Sequence, residues 1–390
     1  MRILLITATY PSGDRIGGAE YQTYLLAHGL AKKGHTCVFL AADAGREGRY
    51  LDHEVEVIEL PGWEQAGISA HRTALASIVN QVAPDVCYVR TFIEIAHVVD
   101  ICRNNNIPMV TISCAGPETA PFLLGNHPRA TLSNLRSQRF RLHFAAFRSL
   151  KASAAHLCNT KTLTAGLKRW QPPLPVRTIY NGTPMPPDDE IHDTASGQII
   201  WVNNLKPVKR PEWFIRLAAH LPAYRFVMIG GLYGGRYGAK LEQLLAQAPS
   251  NFAYLGRLPI AEVNRHIGAS DLLLYTTEPG YEGFGNSFLQ AWIRGVPTVS
   301  TFDFDAIIAD NKVGLTATTF DALLDKVTML MQDDDMRTTL GQTARDVALT
   351  QFSTQVMVDK YDDLFHTCAG TRRVESSALS PLHSKVSHVR

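Results

Sequence analysis

No apolar run in the 390-residue sequence approaches the ~20 residues a membrane-spanning helix needs, so no segment is expected to cross a bilayer. The six cysteines, Cys37, Cys87, Cys102, Cys114, Cys158 and Cys368, include no Cys-x-x-Cys pair and fall mostly in apolar segments. That pattern fits buried thiols in a reducing compartment rather than disulfides or zinc thiolates. The fourteen histidines form no His-x-x-x-His array, so a metal centre is not expected. Acidic residues are missing from a whole region: between Thr119 and Pro187 there is no Asp or Glu, but there are ten Lys and Arg. The remaining 28 basic residues face all 36 acidic ones, so a formal net charge of +2 hides a basic region in an otherwise acidic chain. Such a region is suited to meeting something negative.

What is present is an alternation of short apolar runs with longer amphipathic stretches. Strands are expected at Arg2–Ala8, Cys37–Ala41, Val55–Leu60, Val86–Val89, Met109–Ser113 and His156–Asn159. A proline-rich break at 170–187 precedes a second series at Ile199–Val202, Arg225–Ile229, Asp271–Tyr275 and Thr298–Ser300. The opening run Met1–Thr7 is too short for a signal sequence and reads as a buried strand. Continuous apolar strands separated by helices predict parallel sheets covered on both faces, an α/β doubly wound fold. Helices are expected near 18–33, 211–220, 240–248, 261–267, 284–294, 320–332, 335–350 and 354–367. The segment 368–390, rich in Ser, His and Arg without periodicity, is expected to be a disordered tail.

Three segments carry chemistry. The loop Thr9–Glu20 follows the first strand and opens a helix, and its Gly17 and Gly18 let backbone approach a ligand at a helix N-terminus. It is not the Gly-x-Gly-x-x-Gly dinucleotide pattern. In the second segment, Trp201–Glu212, a strand ends in Asn203 and Asn204, and Lys206, Lys209 and Arg210 precede a helix; cations there suit a diphosphate. The third, Glu278–Val299, reads as strand, glycine-punctuated loop, helix, Gly-x-Pro turn and strand, with Glu282 in the loop and Gln290 eight residues on.

Together these segments resemble the group 1 (family 4) glycosyltransferases of the GT-B fold, most specifically in Glu282-Gly-Phe-Gly, Gln290-Ala-Trp and Gly295-Val-Pro. Asn181-Gly182 also matches the family's entry into its second domain. The resemblance implies two Rossmann-like domains facing a cleft: an acceptor-side domain over 1–180, a nucleotide-sugar domain over 181–350, and a helix over 351–367 crossing back to the first. It implies that Lys209 neutralises the donor diphosphate, that Glu282 bonds donor-sugar hydroxyls, that the amides of Gly283, Phe284 and Gly285 take the distal phosphate, and that Gln290 contacts the ribose. Gly17 and Gly18 would approach the donor from the opposite domain. The sequence departs from the family in three places. Gln290 stands for a second Glu. Asn204 stands for an Arg, which puts more of the phosphate charge on Lys209 or Arg210. Ser113, Cys114 or Glu118 occupies the place of an acceptor-side His.

The implied activity is transfer of a hexose-type unit from a nucleotide-sugar to a glycan or lipid-linked acceptor in polysaccharide or cell-envelope glycan assembly. Retention and independence of metal and cofactor go with it, because the leaving phosphate can itself accept the acceptor's proton. Asp303-Phe-Asp305 superficially matches a metal-binding Asp-x-Asp but falls after the Gly-x-Pro strand and reads as a loop. A catalytically silent sugar-nucleotide-binding protein and another GT-B chemistry, such as a nucleotide-sugar epimerase, are the alternatives. The basic stretch 119–187, with Leu132, Leu135, Phe140, Phe144 and Phe147 interleaved among its arginines, suggests an anionic membrane surface or a diphosphate-bearing acceptor. Nucleic acid is not expected, since no recognition motif is present. The expected location is cytoplasmic, peripheral at the inner membrane face.

Overall fold

A computed structural model of the chain describes residues 1–11, 17–90, 92–115, 118, 138–170, 175–192, 195–232 and 234–378. Residues 119–137, with Arg129, Arg136, Leu132 and Leu135 of the basic stretch, lie outside the described residues.

The first sheet has eight strands: β1 (Arg2–Thr7), β2 (Thr36–Ala41), β3 (Gly48–Asp52), β4 (Val55–Glu59), β5 (Val86–Val89), β6 (Met109–Ser113), β7 (Ala155–Cys158) and β8 (Val176–Thr178). Their order is β3-β4-β2-β1-β5-β6-β7-β8, parallel except for the β3–β4 hairpin. The second sheet is wholly parallel: β9 (Gln198–Val202), β10 (Arg225–Ile229), β11 (Phe252–Tyr254), β12 (Leu272–Tyr275), β13 (Thr298–Ser300) and β14 (Gly314–Thr316), in the order β11-β10-β9-β12-β13-β14. This is the doubly wound order in which the chain starts mid-sheet and builds outward both ways. Helices cover both faces, which is why central strands such as Ile3–Ile6 and Leu272–Tyr275 are apolar at every position and fully buried.

Four strands had no sequence expectation. β3 is a mostly exposed edge strand of polar composition, and β8, β11 and β14 are three residues each, too short for a periodic signal. The last helix, Thr354–Ala378, returns to the first domain. It buries Met357, Val358, Tyr361, Leu364 and Phe365 in the core on one face of the first sheet, and Lys33 reaches Asp359 at 2.7 Å and Asp362 at 2.8 Å. This helix also corrects the expected tail. It runs through Cys368, which is buried, to Ala378, because Leu364, Phe365 and Cys368 continue its apolar face; residues 379–390 lie outside the described residues. No helix among the described residues is long and apolar enough to cross a membrane.

Candidate functional site

Each sheet has one point where neighbouring strands send their connections in opposite directions: between β1 and β5, and between β9 and β12. Loops leaving the carboxyl ends there diverge and open a crevice. The two crevices meet in one cavity of about 300 Å3, at the lower end of ordinary ligand sites. Gly17, Gly18 and Arg90 line it from the first domain; Asn204, Gly231, Arg257, Glu282 to Ser287 and Gln290 line it from the second.

Among the described residues, Glu282 is the one carboxylate lining the cavity. Its two oxygens meet the Lys209 ammonium and the Tyr275 hydroxyl. Lys209, in the turn Pro207–Lys209, is 3% exposed and has no further acceptor among the described residues. Burial pulls its pKa below the usual lysine value, against the opposing pull of Glu282. Burial and the neighbouring carboxylate push the Tyr275 phenol well up, so it stays a neutral donor. Gly285 is required beneath: a Cβ there would stand 2.6 Å from the Tyr275 hydroxyl. Lys209 thus sits behind Glu282 and is not among the residues that line the cavity.

Arg210, expected as a phosphate ligand, is turned elsewhere. Its backbone is left-handed (φ +48°), its guanidinium donates to the carbonyls of Thr276 (2.7 Å) and Thr277 (3.0 Å), and it stacks on Trp213. It fastens the loop that leads to Glu282. Two other cations line the cavity among the described residues, Arg90 and Arg257; Arg257, after β11, was not singled out from the sequence. It is exposed, makes no ion pair among the described residues, and lies against Gly231, where a Cβ would stand 2.3 Å from its guanidinium. Arg90 was also missed. It is 6% exposed and donates to the Tyr88 hydroxyl (3.2 Å) and to Asn181 (3.1 Å). The available signal was a charged residue immediately after a wholly buried strand.

The amide nitrogen of Gln290, itself buried, donates to Asn264 Oδ1 at 2.9 Å. That leaves its carbonyl oxygen as an acceptor, the role a carboxylate would fill. The three amides grouped in the sequence reading divide: Gly283 N donates to the Cys114 carbonyl at 3.1 Å, whereas Phe284 and Gly285 amides have no backbone partner among the described residues.

The Gly283 bond belongs to a seam between the domains. Ala115 and Glu282 form an antiparallel bridge. Asn286 donates to the Gly18 carbonyl (3.0 Å) and accepts from Asn181 (3.0 Å) and Gln22 (3.2 Å). Asp305 caps the helix Lys161–Trp170, accepting from the Thr162 amide and hydroxyl (2.8 and 2.7 Å), the Lys161 amide (2.5 Å) and Tyr180 (2.8 Å). Burial alone would raise the Asp305 carboxyl, but these hydrogen bonds hold it below the usual range. Asp303 accepts from the amides of Ile308 and Ala309, both at 2.9 Å. Both acids of the Asp-x-Asp look-alike are therefore engaged as helix caps.

Of the acceptor-side candidates, Ser113 and Glu118 are not among the residues that line the cavity. Ser113 is fully buried and bonds His156 (3.1 Å), whose other nitrogen meets Thr111 (2.6 Å). Burial pushes that imidazole down to about 3, so the cluster is a neutral core network. Glu118 folds back onto the amides of Cys114 (2.6 Å) and Ala115 (3.3 Å), and burial raises its pKa. Cys114, between them in sequence, does line the cavity.

Comparison with known proteins places this geometry. Residues 16–185 match the family described as Glycosyltransferase Family 4, and residues 196–333 match Glycosyl transferases group 1. No curated protein matches by sequence. Among solved structures, sucrose-phosphate synthase from Thermosynechococcus elongatus superposes with a TM-score of 0.79 at 14% identity, over 95% of this chain and 99% of that one. HepE of Anabaena, in complex with UDP and glucose, gives 0.70 at 16% identity over 94% and 100%. WaaG, a glycosyltransferase involved in lipopolysaccharide biosynthesis, gives 0.67 at 17% over 93% and 99%. At these identities the structures attest the two-domain GT-B fold, and the two sequence matches, one on each side of the cleft, attest the rest: the chain is an enzyme of the group 1, family 4 glycosyltransferases.

Proposed function

We propose that this enzyme transfers a hexosyl unit from a nucleotide-sugar to a glycan or lipid-linked acceptor, with retention and with no metal at the donor site, in polysaccharide or cell-envelope glycan assembly. The observation that carries the reading is Glu282, a carboxylate held by a buried ammonium and a neutral phenol at the floor of a cleft between two doubly wound domains. A carboxylate so fixed accepts hydrogen bonds from sugar hydroxyls without rearranging. Arg257 and the Phe284 and Gly285 amides supply positive potential where charge grows on a departing diphosphate, and the Gln290 carbonyl suits a ribose hydroxyl. The crystallised HepE complexes contain UDP or UDP-glucose, which supports a uridine donor as the first to try.

Thermal unfolding against UDP, GDP, ADP and their sugar conjugates, in the absence of added metal, tests the reading. A ligand at a hundredfold excess over Kd stabilises the folded state by about 2.7 kcal/mol. A shift with one base names the donor class; no shift with any of them overturns the proposal. The acid-free stretch 119–187 supports an anionic partner on the acceptor side. Flotation with and without anionic lipid reads this separately, and binding indifferent to lipid charge at low salt removes the membrane from the scheme.

A further inference from the structure

Outside the cleft, three buried ligand-type side chains converge in the first domain. His71 on the helix Ile68–Val82, Glu94 in the turn Phe92–Glu94 and His97 on the helix Ile95–Asn104 are each at most 2% exposed. One ligand atom from each lies within 4.8 Å of the others. The histidine spacing gave no sign of this, because His71 is brought in by packing between two helices; only Glu94-x-x-His97 was local.

The hydrogen-bond arrangement of the cluster is incomplete. His71 Nδ1 lies 3.2 Å from the Pro61 carbonyl, which can only accept, so Nδ1 carries a proton. His71 Nε2 then faces Glu94 Oε2 at 3.0 Å, and two lone-pair atoms at that distance need a cation between them, a proton or a metal. His97 distinguishes the two. Its Nε2 is buried with no partner among the described residues, and a proton shared by His71 and Glu94 leaves it so. An unsatisfied buried nitrogen costs about 1–3 kcal/mol. A metal ion satisfies all three groups together.

We propose that His71, Glu94 and His97 bind one divalent transition metal, zinc by the chemistry of two imidazoles and a carboxylate. The Pro61 carbonyl is the outer partner that fixes the His71 ring, as ligating histidines require. Glu94 follows Arg90, which lines the cleft, by four residues. The ion would fasten that segment to the helix carrying His71, and it takes no part in the chemistry at Glu282.

The test uses the full chain, stripped with chelator and titrated with Co2+ alone. The expected result is visible d–d absorption saturating at one equivalent and displaced by Zn2+. H97A and E94Q should abolish the band and weaken Zn2+ about tenfold or more in chelator competition. H28A and H53A, at the separate Asp52 cluster, should leave the band unchanged. X-ray absorption of the zinc-loaded wild type reads the ligand set without any variant, and two imidazoles are expected. Absence of the band, its persistence in both H97A and E94Q, or a shell containing sulfur or lacking imidazole overturns the site.

Discussion

Replacing Glu282 with Gln isolates what the Lys209 pair contributes, because the amide keeps the shape and removes the charge. Lys209 is 3% exposed and Glu282 is its sole partner among the described residues. Removing one partner of a buried pair costs about 3–5 kcal/mol. The Glu282 side chain is 27% exposed, so water softens the loss, and we expect about 2–3 kcal/mol at pH 7. The sign with pH follows from burial, which already lowers the Lys209 pKa. Without Glu282 that pKa falls further. The penalty is full while Lys209 is protonated in the folded protein; it shrinks as pH rises through the lowered value and vanishes above the ordinary 10.5. The difference between wild type and E282Q should therefore narrow from pH 7 to pH 10. The double variant K209M/E282Q, which removes the stranded ammonium, should recover most of the loss and show no such slope. Urea unfolding followed by fluorescence suits the measurement, since Trp201 and Trp292 are both buried in the second domain. If E282Q lies within about 0.5 kcal/mol of wild type at pH 7, or the two substitutions simply add, the pair does not have the role assigned to it.

R257A should weaken UDP binding about tenfold or more, the worth of a charge-assisted hydrogen bond, and calorimetry giving an unchanged Kd would place the phosphates elsewhere. D305A should cost about 2 kcal/mol through the lost helix cap and the stranded Tyr180 hydroxyl. Because the Asp305 carboxyl is held low, that contribution is complete above its ordinary value near 3.8 and is lost as pH falls through the lowered one. Wild type and D305A melting curves should accordingly converge in acid. G283A puts a methyl 2.1 Å from Asn159 Oδ1 across the seam. Transfer should fall while the far-ultraviolet spectrum holds, and small-angle scattering should show a larger radius; an unchanged radius with full activity would show that the seam tolerates the methyl.

The fold was legible wherever burial imposed a pattern. Strands β1, β2, β5, β6, β9, β10 and β12 announced themselves because helices on both faces demand apolar side chains at every position. β3 did not, since this edge strand carries polar, exposed residues, and β8, β11 and β14 did not because three residues are too few for a pattern. The last helix outran its expected end because Cys368 reads as tail composition until Leu364 and Phe365 are seen to share its face. In the site, Glu282 and Gln290 were found by a local motif. The placement of Arg210 was not legible because a cation's partners are set by loop geometry: its αL backbone turns the guanidinium onto two carbonyls.

The sequence by itself determined the two β-α series, the break between them and the loops after β1, β9 and β12 that hold the cleft, since periodicity and glycine spacing are local properties of a chain. Only the tertiary structure decided which charges meet. It put Lys209 behind Glu282, brought Arg257 and Arg90 to the cavity, took Ser113 into the core, and closed His71 on Glu94 and His97. Those pairings join residues 23 to 73 positions apart, and their energies depend on burial and distance, which exist only after the sheets have packed.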